Sequence, residues 1–530
     1  YSDGNLKVVS GATGGFDTTS ASTMAIKGKI YCEFALPSDA DGSYVGVMKY
    51  DTSLTNNGID TSSTSDCWIV RGDNGHKANG STSAYAGGAF SNGDIIMLAV
   101  DIANTSIWWG KNGTWFASGN PAANSNAGYT NLPSTEDLLV ICGDNYSTKT
   151  PHIIANFGQN PSFSGQVTAG TNADGNGKGL FKYAPPTGFL ALCEDNLPTP
   201  AIADPGKHFK TVLYTGDGNS GRSITGVGFQ PDLVWLKSRT NNASHRWSDS
   251  VRGVNKQLMS DSSADEATFT TMLTSFDSNG FSLGDNVGIN GTGYTNVAWC
   301  WKAGGAAVSN NDGSITTQVS ANPTAGFSIV KGTQTNGTTT FGHGLGKAPK
   351  MVITKQTNGT TGWYTWHTGI PITEALRLDA DTNSTSFDHW VTDPTTSVFS
   401  MGSGFGSGET YVAYCFAEIE GYSKIGSYTG NGSTDGPFVY CGFKPAWVMV
   451  KNTSATSDWR IYDSSRLSTN PNNLVLYTNL SDVDTTTLHP FDLLSNGFKI
   501  RGDFNDINTS THNYIFMAFA ESPFQTANAK

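Results

Sequence analysis

From residue 209 to its end, this 530-residue chain repeats one pattern three times, and that repeat limits the possible folds more than any other feature. The block Gly-Phe-Gln-Pro-Asp-Leu-Val-Trp-Leu-Lys at 228–237 returns as Gly-Lys-Ala-Pro-Lys-Met-Val-Ile-Thr-Lys at 346–355. It returns again as Gly-Phe-Lys-Pro-Ala-Trp-Val-Met-Val-Lys at 442–451. A Tyr-Thr-Gly-x-Gly turn precedes two of the blocks, at 214–218 and 428–432, and a Trp follows each, at Trp247, Trp363 and Trp459. Ser-Asn-Gly-Phe recurs at 278–281 and 495–498, and every copy closes on an aromatic-rich strand, at 297–301, 412–416 and 515–519. The middle copy diverges, reading Phe-Ser-Met-Gly-Ser-Gly-Phe at 399–405. A unit of about 100 residues is far longer than a solenoid repeat and long enough to close its own core. The spacing predicts three tandem β-sandwich-like domains, at 209–308, 309–420 and 421–530.

Composition supports an all-β chain. Gly is abundant at 62 residues, charged residues are only 14%, and Thr, Ser, Asn and aromatics take their place. The net charge of −12 argues against a nucleic-acid surface. No apolar run reaches the 18 or so residues of a membrane helix, so no membrane insertion is expected. The seven cysteines include no Cys-x-x-Cys pair. Cys32, Cys67, Cys142, Cys300 and Cys415 lie in apolar runs and read as buried free thiols, which predicts folding in a reducing cytoplasm. The first residue is Tyr1, as expected of a processed chain or part of a longer product, and no signal peptide is visible.

Residues 1–165 read as short strands between Gly/Asn/Asp/Ser turns. Asn112-Gly113 between two apolar runs signals a tight hairpin. Residues 166–208 read as a Gly/Pro-rich connector, with Pro185-Pro186 and Pro198-Thr199-Pro200 imposing an extended path. Within it, the apolar run 188–193 is expected to dock on a neighbouring sheet.

Three elements of the first stretch resemble the SPRY (B30.2-like) family. Gly93-Asp94 leads an apolar strand that ends in Val100-Asp101. The hairpin Trp108-Trp109-Gly110-Lys111-Asn112-Gly113-Thr114-Trp115 follows, and Asn156-Phe157-Gly158 closes the series. The resemblance implies a two-sheet β-sandwich whose end loops bind a ligand. The blocks at 342–353 and 297–305, with the joint at 183–189, resemble tail-fibre-type virion proteins of marine bacteriophages. That resemblance implies a non-enzymatic virion protein, made in the host cytoplasm, that attaches to a host-surface glycan or receptor and contacts other virion proteins. It also implies a homo-oligomer, often a trimer. The alternative is a purely structural role as a head fibre, decoration or tail-assembly component.

The motifs of catalysis are missing. Glu418-Ile419-Glu420 lacks the third acid of a sandwich glycosidase and reads as a solvated pair. There is no nucleophile elbow, no P-loop, and no spacing that suits a metal, so neither cofactor nor metal is expected. Gly216–Gly221 and Asn310–Gly313 read as turns, as do Arg71-Gly72-Asp73 and Arg501-Gly502-Asp503. Asp249 with Arg252, and Asp463 with Arg466, read as structural bridges. The candidate ligand surface is the SPRY loop set Trp68, Arg71, Asp73, Tyr85, Asp144 and Tyr146, whose aromatic, amide and carboxylate groups suit sugar rings. The competing reading puts Trp68 and Tyr85 in the sandwich core. Trp108, Trp109 and Trp115 ring a hairpin, so at least one of them must face inward.

Overall fold

A computed structural model describes residues 7–9, 19–50, 64–85, 87–134, 136–144, 148–386 and 388–527. The chain divides into two compact units, Tyr1–Thr199 and Pro200–Lys530.

The first unit is a two-sheet antiparallel sandwich. One sheet contains the strands Lys29–Ser38, Asp94–Asp101 and Ser106–Lys111; the other contains Ser43–Lys49, Cys67–Arg71 and Leu138–Asp144. Strand alternation points Phe34, Val45, Val70, Leu98, Trp109 and Val140 into the space between the sheets. The neighbouring Trp108 points the other way, into a second core with Tyr31, Met97, Phe181 and Phe189. Both tryptophans are therefore buried, on opposite faces of one strand.

The second core exists because residues 166–199 fold back as a third layer. Leu190–Ala191 pairs in parallel with Ile30 and Tyr31, so the apolar run does dock. Two carboxylates fix this layer. Glu33, fully buried, accepts from Tyr183 N–H at 2.7 Å, Lys182 N–H and Tyr31 Oη at 2.9 Å, and Asn156 Nδ2 at 3.2 Å. Asp174 accepts from Ala191 N–H, Lys178 N–H, Asn176 N–H and Asn196 Nδ2. A buried carboxylate is tolerated only when its lone pairs are met in this way. The stretch read as a connector thus ends as sandwich structure, and Pro200 begins the next unit.

In the second unit each repeat contributes an inner sheet. The first is Phe209–Thr215, Thr295–Trp301, Leu233–Ser238 and Arg246–Asp249; the second includes Phe327–Thr333, Thr410–Phe416, Met351–Gln356 and Tyr364–His367. The third includes Ser423–Thr429, Asn513–Pro523, Phe443–Asn452 and Arg460–Asp463. The outer face of each inner sheet packs into a core of its own: Val234, Leu236, Ala298 and Cys300 in the first repeat, Val352 and Cys415 in the second, Val448 and Phe516 in the third. The inner faces meet in one shared core containing Trp235, Trp299, Trp301, Ile353, Tyr414, Phe416, Trp447, Met517 and Phe519. Strands covered on both faces read as continuous apolar runs, which is why the sequence shows Val-Ala-Trp-Cys-Trp at 297–301 rather than alternation.

The repeats close on one another in a ring. The N–H of Glu266 donates to Thr357 O in the second repeat at 3.1 Å, Ser384 N–H to Thr453 O in the third at 3.3 Å, and Asp484 N–H to Arg239 O in the first at 2.9 Å. Each acceptor lies two residues after the lysine that ends its block. In the reverse direction Trp363 Nε1 donates to Met259 O at 2.7 Å and Trp459 Nε1 to Arg377 O at 2.8 Å. The third such bond comes from His245, whose Nε2 donates to Tyr477 O at 2.7 Å. Strand register corrects the reading of Trp247: it pairs with Trp235, as Thr365 pairs with Ile353 and Ile461 with Met449. His245, not Trp247, is therefore the counterpart of Trp363 and Trp459.

Candidate functional site

The sandwich brings part of the expected SPRY surface together. Arg71 ends one strand and pairs with Tyr44, while Asp144 ends the strand on the other side of Ser43–Lys49 and pairs with Ser43. Both therefore reach the same end of the sheet. Arg71 forms a two-pronged bond to Asp73, Nε to Oδ1 at 3.1 Å and Nη2 to Oδ2 at 2.9 Å. The Gly72 carbonyl between them accepts from Phe90 N–H at 2.7 Å. The Arg-Gly-Asp tripeptide is thus a turn clamped on itself, as its sequence implies. Asp144 is 2% exposed. Tyr146 lies outside the described residues.

Trp68 and Tyr85 are core residues. Trp68 is 3% exposed and donates from Nε1 to Asn131 Oδ1 at 3.0 Å. Tyr85 packs edge-on against Trp109 and Phe116, at 6.0 and 5.7 Å between centroids, and burial pushes its hydroxyl up to about 12. Beside it is an arrangement that no sequence motif marks. Lys77 places its Nζ 4.5 Å from the Tyr129 ring and 5.5 Å from the Tyr85 ring, and donates to Gly128 O. Burial lowers its affinity for a proton. A cation held between two rings is a structural strut, and the pairing of Lys77 with Tyr129, 52 residues away, has no local sequence signal.

A cleft of about 700 Å³ opens at the other edge of the sandwich, floored by Phe34, Val140, Cys142 and Ala155. It opens beside Ser20 and Ser22, where the strand Thr19–Ala25 has serine instead of an apolar side chain.

In the second unit several buried polar residues serve closure. The Asp249–Arg252 and Asp463–Arg466 bridges are fully buried. Tyr414 Oη from the second repeat donates to Asp249 at 2.8 Å, and Trp299 Nε1 from the first donates to Asp463 at 3.2 Å. The bridges therefore receive bonds across repeats. Glu418, expected to be solvated, is instead held by Lys350 at 3.2 Å and Lys424 at 3.4 Å. Among the described residues no group of three or more His, Cys, Asp or Glu side chains is placed to hold a metal ion.

Comparison with known proteins fits this architecture. Residues 29–143 match the SPRY domain family. Residues 204–523 match a family described as "Domain of unknown function (DUF7483)". The chain belongs to the DUF7483 family. The SPRY region is similar to solved structures. The SPRY domain of human HERC1 is 18% identical, covering 28% of this chain and 87% of that one, with a TM-score of 0.24. Another human SPRY domain is 13% identical, covering 28% and 91%, with a TM-score of 0.22. Stonustoxin is 14% identical, covering 29% of this chain and 24% of its own, with a TM-score of 0.22. No curated protein matches the sequence.

Proposed function

We propose that this DUF7483 protein is a non-enzymatic virion component of the tail-fibre type, attaching a phage to its host through a surface glycan or receptor. The reading rests on the resemblance of the repeat blocks and the Pro-rich joint to such proteins, together with a SPRY sandwich on the same chain. One observation carries the division of labour. The residues that recur between repeats hold the second unit together from inside, whereas the SPRY unit brings the part-exposed Arg71 and Asp73 to one end of a sheet, with Asp144 buried at the same end. The SPRY end is then the recognition surface and the repeat unit a stiff body.

The test is binding of the full chain to host-surface polysaccharide, with adsorption of particles lacking the protein measured alongside. Arg71→Gln is expected to weaken binding at least about tenfold, the scale of a charge-assisted bond. Adsorption unchanged in its absence, with the chain found in the particle, would favour the structural alternative.

A further inference from the structure

Repeats one and three differ where a buried arginine meets its carboxylate, and the difference points to a ligand. In the third repeat, the residues before Asn508 lie over the end of the inner sheet. Arg460 Nη2 donates to Asp506, Ser457 Oγ donates to the same carboxylate at 3.1 Å, and Asn452 Nδ2 donates to Asn505 O at 2.8 Å. At that end of the sheet the chain itself supplies the carboxylate, although Arg460 Nε is left without a partner.

The first repeat has the same frame. Asn290 is the counterpart of Asn508: each accepts on Oδ1 from the second residue of its Gly-x-Gly turn, Asp217 or Asn431. Counting back, Asp506 corresponds to Gly288, and Arg460 corresponds to Arg246 by strand register. The guanidinium is kept and its carboxylate is replaced by glycine. Arg246 Nε and Nη1 are buried with no hydrogen-bond partner. Ser238, fully buried and on the same sheet face, leaves its Oγ unpartnered. Asn296, directly opposite Ser238, is 1% exposed, and its Oδ1 has no partner. Asp261 faces Arg246 electrostatically without bonding to it, and its own Oδ1 has no partner. The Phe269 ring lies 5.5 Å from the guanidinium carbon. Gly288 and Ala243 are half-buried, and a Cβ on Gly288 would meet only Asn286 Oδ1 at 3.1 Å and the Ala243 Cβ at 3.6 Å.

We infer that Arg246, Ser238 and Asn296 form a binding subsite for a hydroxy-carboxylate, a uronic acid of an acidic saccharide. The carboxylate would take the place that Asp506 fills in the third repeat, accepting from Arg246, and Ser238, at the position of Asn452, would donate to the ligand beside it. A carboxylate alone leaves Asn296 Oδ1 unmet, because both are acceptors, so the ligand needs a hydroxyl beside its carboxylate. The saccharide as source rests on the attachment reading above.

Titration calorimetry of the full chain with methyl glucuronide and methyl glucoside tests this at fixed ionic strength. The glucuronide should bind at least about tenfold more tightly, and Arg246→Gln should abolish the difference. Gly288→Asp should supply the carboxylate from within, blocking glucuronide and raising the melting temperature. Equal binding of the two sugars, or glucuronide affinity unchanged in Arg246→Gln, would overturn the subsite. So would strong coupling of Arg246→Gln with Asp261→Asn in a stability cycle without glucuronide binding, which would make the pair a structural bridge. Glucuronide binding that needs Arg246, with particle adsorption unaffected, would keep the subsite and overturn the attachment reading.

Discussion

His245 shows how one residue can break a repeat and keep its function. Trp363 and Trp459 each close a seam with an indole N–H, and His245 closes the third with Nε2–H. Its Nδ1 then has to accept, and does so from Trp235 Nε1 at 2.7 Å. His367 is placed likewise, donating from Nε2 to Phe516 O and accepting at Nδ1 from Gly369 N–H at 2.8 Å. Protonating either ring sets an N–H against an N–H. Burial holds His245 well below the ordinary histidine value and lowers His367 to about 4. The unfolded chain takes up these protons near pH 6.5 and the folded chain does not, so stability is lost as pH falls below about 6.5. For His367 the loss should total about 3 kcal/mol once the pH is under 4. Urea unfolding at pH 7.5 and 4.5 should show a smaller pH difference in His367→Gln than in the native chain. An unchanged difference would mean that the ring is not neutral in the fold. The sequence shows a Trp after each block, but only the strand pairing reveals that the first of them is two residues out of step.

At the scale of the element, the repeated turn and the repeated lysine have different physics. Tyr-Thr-Gly-x-Gly recurs because the turn is gripped from inside. Asn508 accepts from Asn431 N–H and donates from Nδ2 to Asn431 Oδ1, Ser433 O and Gly502 O at 2.7–3.0 Å, and Tyr428 Oη donates to Ile507 O. Gly430 is required there, since a Cβ would lie 2.2 Å from Thr509 O. The middle copy has Gln334 in the turn instead, donating from Nε2 to Gly337 O and Gly402 O, and so it lacks the motif. Asn508→Ala should cost about 2–4 kcal/mol by stranding several buried groups, read as a shift in denaturation midpoint.

The lysine ending each block is fully buried: Lys237, Lys355 and Lys451. Burial lowers each to about 8. Lys451 Nζ crosses to Asp381 O at 2.9 Å and also donates to Ser457 O, whereas Lys355 Nζ donates to Gln356 O beside it. At pH 7 these lysines stay charged in the fold and weaken it by their lost hydration; between about pH 8 and 10.4 the folded chain gives up the proton first and the penalty fades. Lys355→Met should therefore stabilise the protein by about 1–3 kcal/mol at pH 7, an advantage that shrinks as pH rises toward 10. Lys451→Met should not stabilise, because it strands two carbonyls. The turn and the lysine are both legible as repeats in the sequence. The partners that matter are not, since those of the turn lie 77 and 79 residues away and the Asp381 carbonyl that Lys451 reaches is in another repeat.

For the whole second unit, the choice between three domains in a row and one closed body turns on the inner faces. Each repeat has a core of its own, as its length of about 100 residues allows. Each inner sheet also turns a face of aromatic and other large apolar side chains toward the other two. Trp247 lies 5.1 Å from Trp363 and 4.8 Å from Tyr414, and Trp301 lies 5.8 Å from Trp447, each contact joining different repeats. Removing one repeat uncovers these faces and breaks two of the three seams. Aromatic faces of this size are costly in water, since each buried aromatic contributes on the order of 3–5 kcal/mol when lost. Residues 200–530 should therefore unfold in one calorimetric transition, with the van't Hoff enthalpy matching the calorimetric enthalpy. A fragment ending at residue 420 should aggregate or pair with itself instead of giving two folded repeats. Three separate transitions, or a soluble and monomeric two-repeat fragment, would mean that the private cores suffice and the shared core is only a contact surface. Trp301→Ala separates the cases further. In a closed body it lowers the single transition as a whole, whereas in a row of domains only the first repeat melts early.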